Sequence, residues 1–592
     1  MSKAKEFYKQ DHQRFKAEHS RLRKYLLGLS IARLIAFVLI ITTIIVFLDQ
    51  SIYYMLGIGI PLILTFFWLL TKYSDKKTEE NYAIQRMQLN ELELRALEGD
   101  YSSFPNGDVY RDAKHAYSED IDLFGKQSFF QYLTRSQTKE GEIFLADLLK
   151  KNSTEKVLEK QEVVKDLAKN PEWRHNYMTL ASMIEAKHSV SSLASWLKSY
   201  TNFTKPFFRW LPKVFSVLSI GVLILFAQSF ISVYIFLGWL AVGFIITSKY
   251  QKQVGKLTRE LGVYHEILAG YARLLKQIEV ANFQSDLLKE KQSKLQQADG
   301  TTASEAIARL ARALQNLEHG SNLLVKGIGN PMFLYDLWVS YPVEQWLKEH
   351  GSNVATWLEI TAYFEAQNSL ATLAYNHPEY NYPQIAVDNT TFQAKELAHP
   401  LLLETEAIPS DVEIGKSDFL IITGANMAGK STFLRSVSLA IIMANIGLPV
   451  RAREMTYTPI PLITSMRTTD SLDQNTSYFF AELKRLRFIV DKLEEQKCFV
   501  ILDEILKGTN STDKAAGSIR FIKKLVSMQA TGMVATHDLS LCSIADQIPN
   551  IKNFFFDTQI KDDELYFDYR LKPGICSDRN ASFLLEKMKI VE

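Results

Sequence analysis

Sixteen consecutive residues restrict what the C-terminal part of this chain can fold into: Phe419 to Leu434, FLIITGANMAGKSTFL. The apolar run Phe419 to Ile422 predicts a buried strand, Gly424 to Gly429 a tight loop, and the residues after Lys430 the start of a helix. The spacing Gly424-x-x-x-x-Gly429-Lys430-Ser431 fits a phosphate-binding loop at every fixed position. Its glycines let backbone N–H groups turn inward around phosphate oxygens at a helix N-terminus. Gly424, Ala425, Asn426, Met427, Ala428, Gly429, Lys430, Ser431 and Thr432 are therefore the expected nucleotide-binding residues. Lys430 reaches the β- and γ-phosphates and the Ser431 hydroxyl ligates Mg²⁺, so ATP and Mg²⁺ are the expected ligands. The plainer alternative, a Gly-rich turn opening an ordinary helix, does not call for strand, loop and helix in that order.

Two further strand ends complete a set. Cys498 to Leu502 (CFVIL) predicts a buried strand ending at Asp503-Glu504. A carboxylate at such a tip holds Mg²⁺ through water, and the next one orients an attacking water. A third strand, Met533 to Ala535, ends at Thr536-His537, where an imidazole is in reach of a γ-phosphate. Alone, an apolar run before Asp-Glu is a weak signal and His537 is more simply a satisfied turn residue. Together and in this order they predict an α/β, ABC-type P-loop ATPase domain.

The N-terminal half is governed by apolar length. Residues 1–25 are polar and basic; then come Leu26 to Leu48, interrupted by Arg33, and Ile52 to Thr71, which carries no charge. Each is long enough to cross ~30 Å of hydrocarbon at 1.5 Å per residue. A cleaved signal peptide is not expected, because the apolar part is too long and no small-residue cleavage site follows. A second block, Val214 to Thr247, is also uncharged and too long for one span, which predicts a turn near Gln228, Ser229 and Ser232. Its two legs are short, so a re-entrant or interfacial pair and a buried soluble pair remain alternatives to a spanning hairpin. Lys and Arg flank both blocks outside the turns (Arg21, Arg23, Lys24; Lys72, Lys76, Lys77; Lys205, Arg209, Lys213; Lys249, Lys252, Lys256) and the turns carry none. That distribution predicts a multi-pass membrane protein with everything but the turns cytoplasmic.

Between and after these blocks the sequence is helical. Lys72 to Leu97 is charged and helix-favouring, and Ser102 to Asp108 is a loop. Val254, Leu257, Leu261, Tyr264, Leu268, Tyr271, Leu275 and Ile278 recur at steps of three and four, the stripe of a long helix packed on another. The net charge of +2 gives no global pull toward a polyanion, and mixed runs such as Lys289 to Lys294 read as solvated faces. Cys498, Cys542 and Cys576 are too far apart for a CxxC metal site and too few for a disulfide scaffold.

With these residues in view, the chain resembles the MutS family. The resemblance rests on Thr423 to Arg435 (TGANMAGKSTFLR), Leu502 to Thr512 (LDEILKGTNST), Ala535 to Leu539 (ATHDL), His399-Pro400 and Lys572-Pro573-Gly574. Asp120 to Leu149 and Gln161 to Leu167 are similar to the opening of that family's helical lever domain. Ser477 to Glu482 (SYFFAE) resembles its Ser-Thr-Phe-x-x-Glu segment, with Tyr478 in place of the threonine. The resemblance implies that Ser477 acts on nucleotide held by an opposing subunit, and hence a homodimer with composite sites. It also implies catalytic roles for Glu504 and His537 and a metal role for Asp503 beside Ser431. Mismatch-reading members carry a Phe-x-Glu wedge in a separate N-terminal domain; the only Phe-x-Glu here is Phe480-Ala481-Glu482, inside the ATPase segment.

The expected organisation is a basic segment (1–25), a transmembrane hairpin (26–71), a helical linker (72–114), a lever domain in two parts (115–206 and 251–392) around a second hairpin (207–250), and the ATPase domain (393–592). Two outputs follow from the resemblance: action on mismatched or otherwise distorted DNA near a membrane, or mechanical work on membrane proteins or lipids without DNA. An ABC transporter fits less well, since four short spans give little pathway and no Leu-Ser-Gly-Gly-Gln signature is present.

Overall fold

The computed structural model describes residues 2–592 except 48–51, 185–191, 194–195, 198–199, 321, 323–324, 387–389, 426, 468–477, 508–509, 562–563 and 577–592. The chain forms two units: one of Met1–Leu94, Ser136–Ile143 and Glu172–Ala366, the other of Arg95–Arg135, Phe144–Pro171 and Gln367–Glu592. The stretch 115–206, expected to open the lever domain, is divided between them.

In the first unit, helices α1 (Lys3–Phe47) and α2 (Ile52–Ala96) are each 45 residues long. The basic segment 1–25 is therefore not a separate element, as expected from its polarity, but the first half of α1. Buried positions explain why: Ala4, Tyr8, Asp11, Phe15, Leu22, Leu26, Leu29, Ala36 and Thr43 fall at heptad-like steps of three, four and seven. Asp11 belongs to that stripe because Arg86 of α2, fully buried, donates Nε–H to its Oδ2 at 2.6 Å and Asn90 Nδ2 donates to the same oxygen at 2.8 Å. Further along, Leu29, Ala36 and Leu69 form a small seam, and Arg33 lies 4.0 Å over the Tyr73 ring. Beyond it Leu34, Phe37, Ile45, Leu64 and Phe67 face outward.

Of the described helices, Lys3–Phe47 and Gly57–Ala96 are long and apolar enough to cross a membrane. The second apolar block is a helical pair, α3 (Leu211–Ala227) and α4 (Val233–Ser248), turning at 228–232 as its polar residues predict. Its legs are 17 and 16 residues, and α4 meets the same length criterion only together with Gln251–Glu279, from which it is bent by 58°. Phe215 stacks on Trp239 at 4.7 Å, and Trp239 Nε1 donates to Ser219 Oγ at 2.8 Å. The stripe from Val254 to Ile278 is buried throughout, but a 3₁₀ turn at Gly262–Tyr264 divides the expected single helix into Gln251–Leu261 and α5 (His265–Glu279). Its partner is α6 (Ala303–His319), which buries Ala306, Ile307, Leu310, Leu314 and Leu317. Helix α7 (Tyr335–His350) packs on α6 in turn.

The second unit is built on a six-stranded sheet. Its order is β10 (Glu564–Pro573), β9 (Ile551–Lys561), β4 (Phe419–Thr423), β8 (Thr531–Ala535), β7 (Phe499–Asp503), β6 (Leu462–Ser465). All neighbours pair parallel except β10 with β9. Strand β4 is buried at every position, which is why it reads as an unbroken apolar run rather than an alternating one. A four-stranded sheet, ordered β1 (Gln384–Ile385), β5 (Glu454–Tyr457), β2 (Thr390–Leu397), β3 (Ser410–Gly415), is the other sheet of this unit among the described residues. Residues 95–135 are tied to the large sheet by two carboxylates. Asp120 Oδ1 accepts from Arg467 N at 2.8 Å and its Oδ2 from Thr464 Oγ1, while Asp122 accepts both guanidinium ends of Arg467 and lies 3.1 Å from Arg435 Nη1.

The buried Asp11–Arg86 pair gives a direct test of the helical hairpin. Asp11→Ala leaves the fully buried Arg86 guanidinium with only the half-exposed Glu172 as its anion, 3.1 Å from Nη2, and should cost about 3 kcal/mol. The check is the thermal midpoint of the purified protein followed by circular dichroism, with a smaller loss expected for Asp11→Asn. An unchanged midpoint in Asp11→Ala would remove the pair as the anchor of α1 on α2.

Candidate functional site

The parallel strands β4, β8 and β7 end at one level, and every sequence-predicted site residue that the structure describes sits beyond those ends, where ligands of such sheets bind. Register fixes the level: Ile422 pairs with Ala535, and Asp503 pairs with Ala535 from the other side. Thr536 N donates to Ile422 O and Glu504 N donates to Ala535 O, both at 2.9 Å. Because β8 lies between β4 and β7, His537 emerges between the loop and the two acids.

The loop itself is shaped by its glycines. Gly424 has φ 147°, and a Cβ there would meet the Phe556 carbonyl oxygen at 2.9 Å; Gly429 has φ 100° and caps the following helix, where a Cβ would meet Tyr569 Cδ1 at 3.1 Å. Only glycine turns the chain this tightly against β9 and β10. Helix α8 (Lys430–Asn445) then begins with its N-terminal N–H groups around the loop. Ala428 is buried, Met427 is turned outward at 84% exposure with φ 68°, and Thr432 lies exposed in the first turn of α8. Asn426 and Ser477, both expected site residues, lie outside the described residues.

Lys430 Nζ donates to the carbonyl oxygens of Gly424 and Ala425, each at 2.8 Å, and stands 3.3 Å from His537 Nε2. Burial pushes its pKa down, opposed by the charges of Asp503 and Glu504. Ser431 Oγ donates to Asp503 Oδ2 at 2.7 Å. One hydroxyl and one carboxylate are what Mg²⁺ takes from a protein when phosphates and waters supply the rest, so this donor set fits that ion. Among the described residues no group of three or more His, Cys, Asp or Glu forms a closed metal cage.

Glu504 sits at φ 55°, a strained backbone for a non-glycine residue, with Oε1 at 3.3 Å from His537 Nε2 and Oε2 at 4.0 Å from Lys514 Nζ. A single Nε2 serves only one neighbour at a time: protonated there, the imidazole donates to Glu504, and in the other tautomer it accepts from Lys430. Burial, then the Lys430 charge, hold the His537 pKa below its ordinary value against the pull of Glu504 and Asp503. The ring is therefore neutral at pH 7.

Several contributors were not legible in the sequence. Phe556 and Tyr569 close the loop from the β9–β10 hairpin, and the register shift between Phe567 and Leu571 is what brings Tyr569, at φ 52°, onto Gly429. Glu482, in helix α9 (Tyr478–Glu495), is turned inward: Oε1 accepts from Leu506 N at 2.6 Å and Lys507 N at 3.3 Å, while Oε2 is buried with no hydrogen-bond partner among the described residues. It holds the turn that follows Glu504. His399 lines the cavity too, its pKa lowered to about 4 by burial and by Arg435 and Arg451. The only sequence signal for it was the His399-Pro400 dipeptide. The cavity enclosed by these groups measures about 610 Å³, within the range of small-molecule sites.

This arrangement can hold a phosphate chain against backbone N–H groups and an ammonium, place a divalent cation between Ser431 and Asp503, and orient a water at Glu504. Residues 420–589 match the family described as MutS domain V. "MutS protein homolog 4" of Homo sapiens is 32% identical over 201 residues, covering 32% of this chain and 21% of that protein. "DNA mismatch repair protein MSH4" of Arabidopsis thaliana is 31% identical over 227 residues, 37% of this chain and 28% of that protein. "DNA mismatch repair protein MutS" of Prochlorococcus marinus is 30% identical over 244 residues, 39% of this chain and 26% of that protein. The match thus spans less than a third of each relative's length. Residues 420–589 thus carry a domain of the MutS family.

Proposed function

We propose that the chain is a membrane-tethered, MutS-like ATPase that works as a homodimer on mismatched or otherwise distorted DNA. The observation that carries the ATPase reading is the convergence of Lys430, Ser431, Asp503, Glu504 and His537 at three strand ends around one loop. ATP is the expected substrate. The α8 N-terminus and Lys430 bind its phosphates, Ser431 and Asp503 hold Mg²⁺, Glu504 takes up the proton of the attacking water, and neutral His537 hydrogen-bonds the γ-phosphate or that water. Mg²⁺, when bound, offsets charge on the phosphates. Ser477, by the family's pattern, completes the site of a second copy. Closure of two such sites moves the attached helices, the usual conversion of nucleotide state into motion.

The tether is supported by length and exposure. At 1.5 Å per residue a 45-residue helix is about 68 Å long, more than twice the hydrocarbon thickness. The apolar parts of α1 and α2 are exposed while their polar parts bury the Asp11–Arg86 pair, which fits a spanning hairpin continued by a cytoplasmic stalk. The second hairpin, with legs of 17 and 16 residues, is the shorter. The DNA reading comes from the relatives, two of which are described as DNA mismatch repair proteins.

Three measurements follow. Lys430→Ala should abolish nucleotide binding by the detergent-solubilised protein, and Glu504→Gln should keep binding but slow ATP turnover by about 10²–10⁴-fold; unchanged turnover in either removes the assigned roles. With His537 neutral, turnover should stay level as pH falls from 8 to about 6.5 and decline only below, as its protonated ring meets the Lys430 charge. A decline already half complete above pH 6.5 that disappears in His537→Gln would contradict that protonation state. Gel-shift affinity for homoduplex, mismatched and branched DNA should favour the distorted forms and weaken with salt, as phosphate contacts require. No shift and no stimulation of turnover by any DNA would exclude that substrate and leave the levers acting on membrane components.

A further inference from the structure

At the foot of α3, in the first unit, is a cavity of about 460 Å³ whose charge is one-sided. Three cations line it: Arg209 just before α3, Lys213 in its first turn, and Arg309 on α6. Their heads are exposed, and among the described residues none has a carboxylate within 4.0 Å. Arg209 and Lys213 instead bracket the exposed Trp210 ring at 5.5 and 5.8 Å. The one carboxylate on the wall, Glu349, is already engaged, accepting from Gln345 Nε2 and lying 3.9 Å from His350 Nε2. Burial holds the His350 pKa below its ordinary value, so it adds no fixed positive charge at neutral pH. The floor is aromatic, formed by Trp338, Tyr341 and Trp346 along one face of α7.

Position gives this cavity its meaning. Val214, Val217 and Leu218, immediately beyond Lys213, point outward at 55, 70 and 52% exposure, so an apolar outer face of α3 begins one residue from the cations. Trp210, between two of the cations in sequence, and Trp338, on the cavity wall, are both exposed, and amphipathic rings of this kind favour a membrane–water boundary. We propose that the cavity seats the phosphate-bearing headgroup of an acidic phospholipid of the cytoplasmic leaflet, its acyl chains lying along the outer face of α3. Arg209, Lys213 and Arg309 would meet the phosphodiester, whose negative charge no headgroup cation offsets, and donate to the headgroup hydroxyls, as basic pockets beside membrane helices do. This inference rests on the membrane reading above and adds a ligand class to it.

The test uses the full-length protein in neutral phosphatidylcholine vesicles and in vesicles that also contain phosphatidylglycerol, followed by flotation and by native mass spectrometry of retained lipid. Wild type should float with both and retain phosphatidylglycerol selectively. The triple variant Arg209→Ala, Lys213→Ala, Arg309→Ala should still float and still bind nucleotide, but lose that selectivity on the order of 100-fold, at roughly fivefold per cation. Lys289→Ala, Lys291→Ala, Lys294→Ala, an equal loss of charge on a solvated face, should not. Failure of wild type to float with neutral vesicles would overturn the membrane reading itself. Flotation without selectivity, or selectivity unchanged in the triple variant, would overturn this site alone. Displacement of the lipid by millimolar inorganic phosphate or glycerol phosphate would show a soluble phosphate site instead.

Discussion

The level at which β4, β8 and β7 finish is the constraint on which the second unit depends. A hydroxyl and a carboxylate 72 residues apart meet at 2.7 Å because Ile422 and Asp503 both register with Ala535. Shifting either strand by one residue would turn its inward side chains to the opposite face and move Asp503 out of reach of Ser431. The apolar runs that make these strands readable also hold that register, since each is buried on both faces and neither can slip without exposing its side chains. Packing and chemistry are thus specified by the same short segments.

That explains which parts of the site were legible in the sequence. Gly424 to Thr432, Asp503-Glu504 and His537 each follow directly on an apolar strand, so local pattern located them and chain order assembled them. Phe556 and Tyr569 reach the site through an irregular hairpin that nothing local marks, and Glu482, though it closes the Ser477 to Glu482 segment, gave no sign there that it turns inward to hold Leu506 and Lys507. The same division holds in the first unit. The apolar halves of α1 and α2 were plain from composition and Lys72 to Leu97 read as helix, but the packing of the polar halves was not legible, because the stripe that packs them contains Asp11, Arg86 and Asn90. A charged residue at a core position reads as surface until its partner, 75 residues away, is brought beside it.

Ion pairs also tie residues 95–135 to the nucleotide-binding elements. Asp120 and Asp122, two residues apart, hold Thr464 and Arg467 at the end of β6, and Asp122 also lies 3.1 Å from Arg435 on α8. Arg485 of α9 donates to the His115 and Ala116 carbonyl oxygens and to Thr464 O, closing the set. Displacing α8 relative to β6 would separate Arg435 from Arg467 and leave Asp122 with only one of them. Residues 468–477, which end at Ser477, begin directly after Arg467. The ion pairs of Asp122 thus link α8, which follows the phosphate loop, to the residue that immediately precedes 468–477.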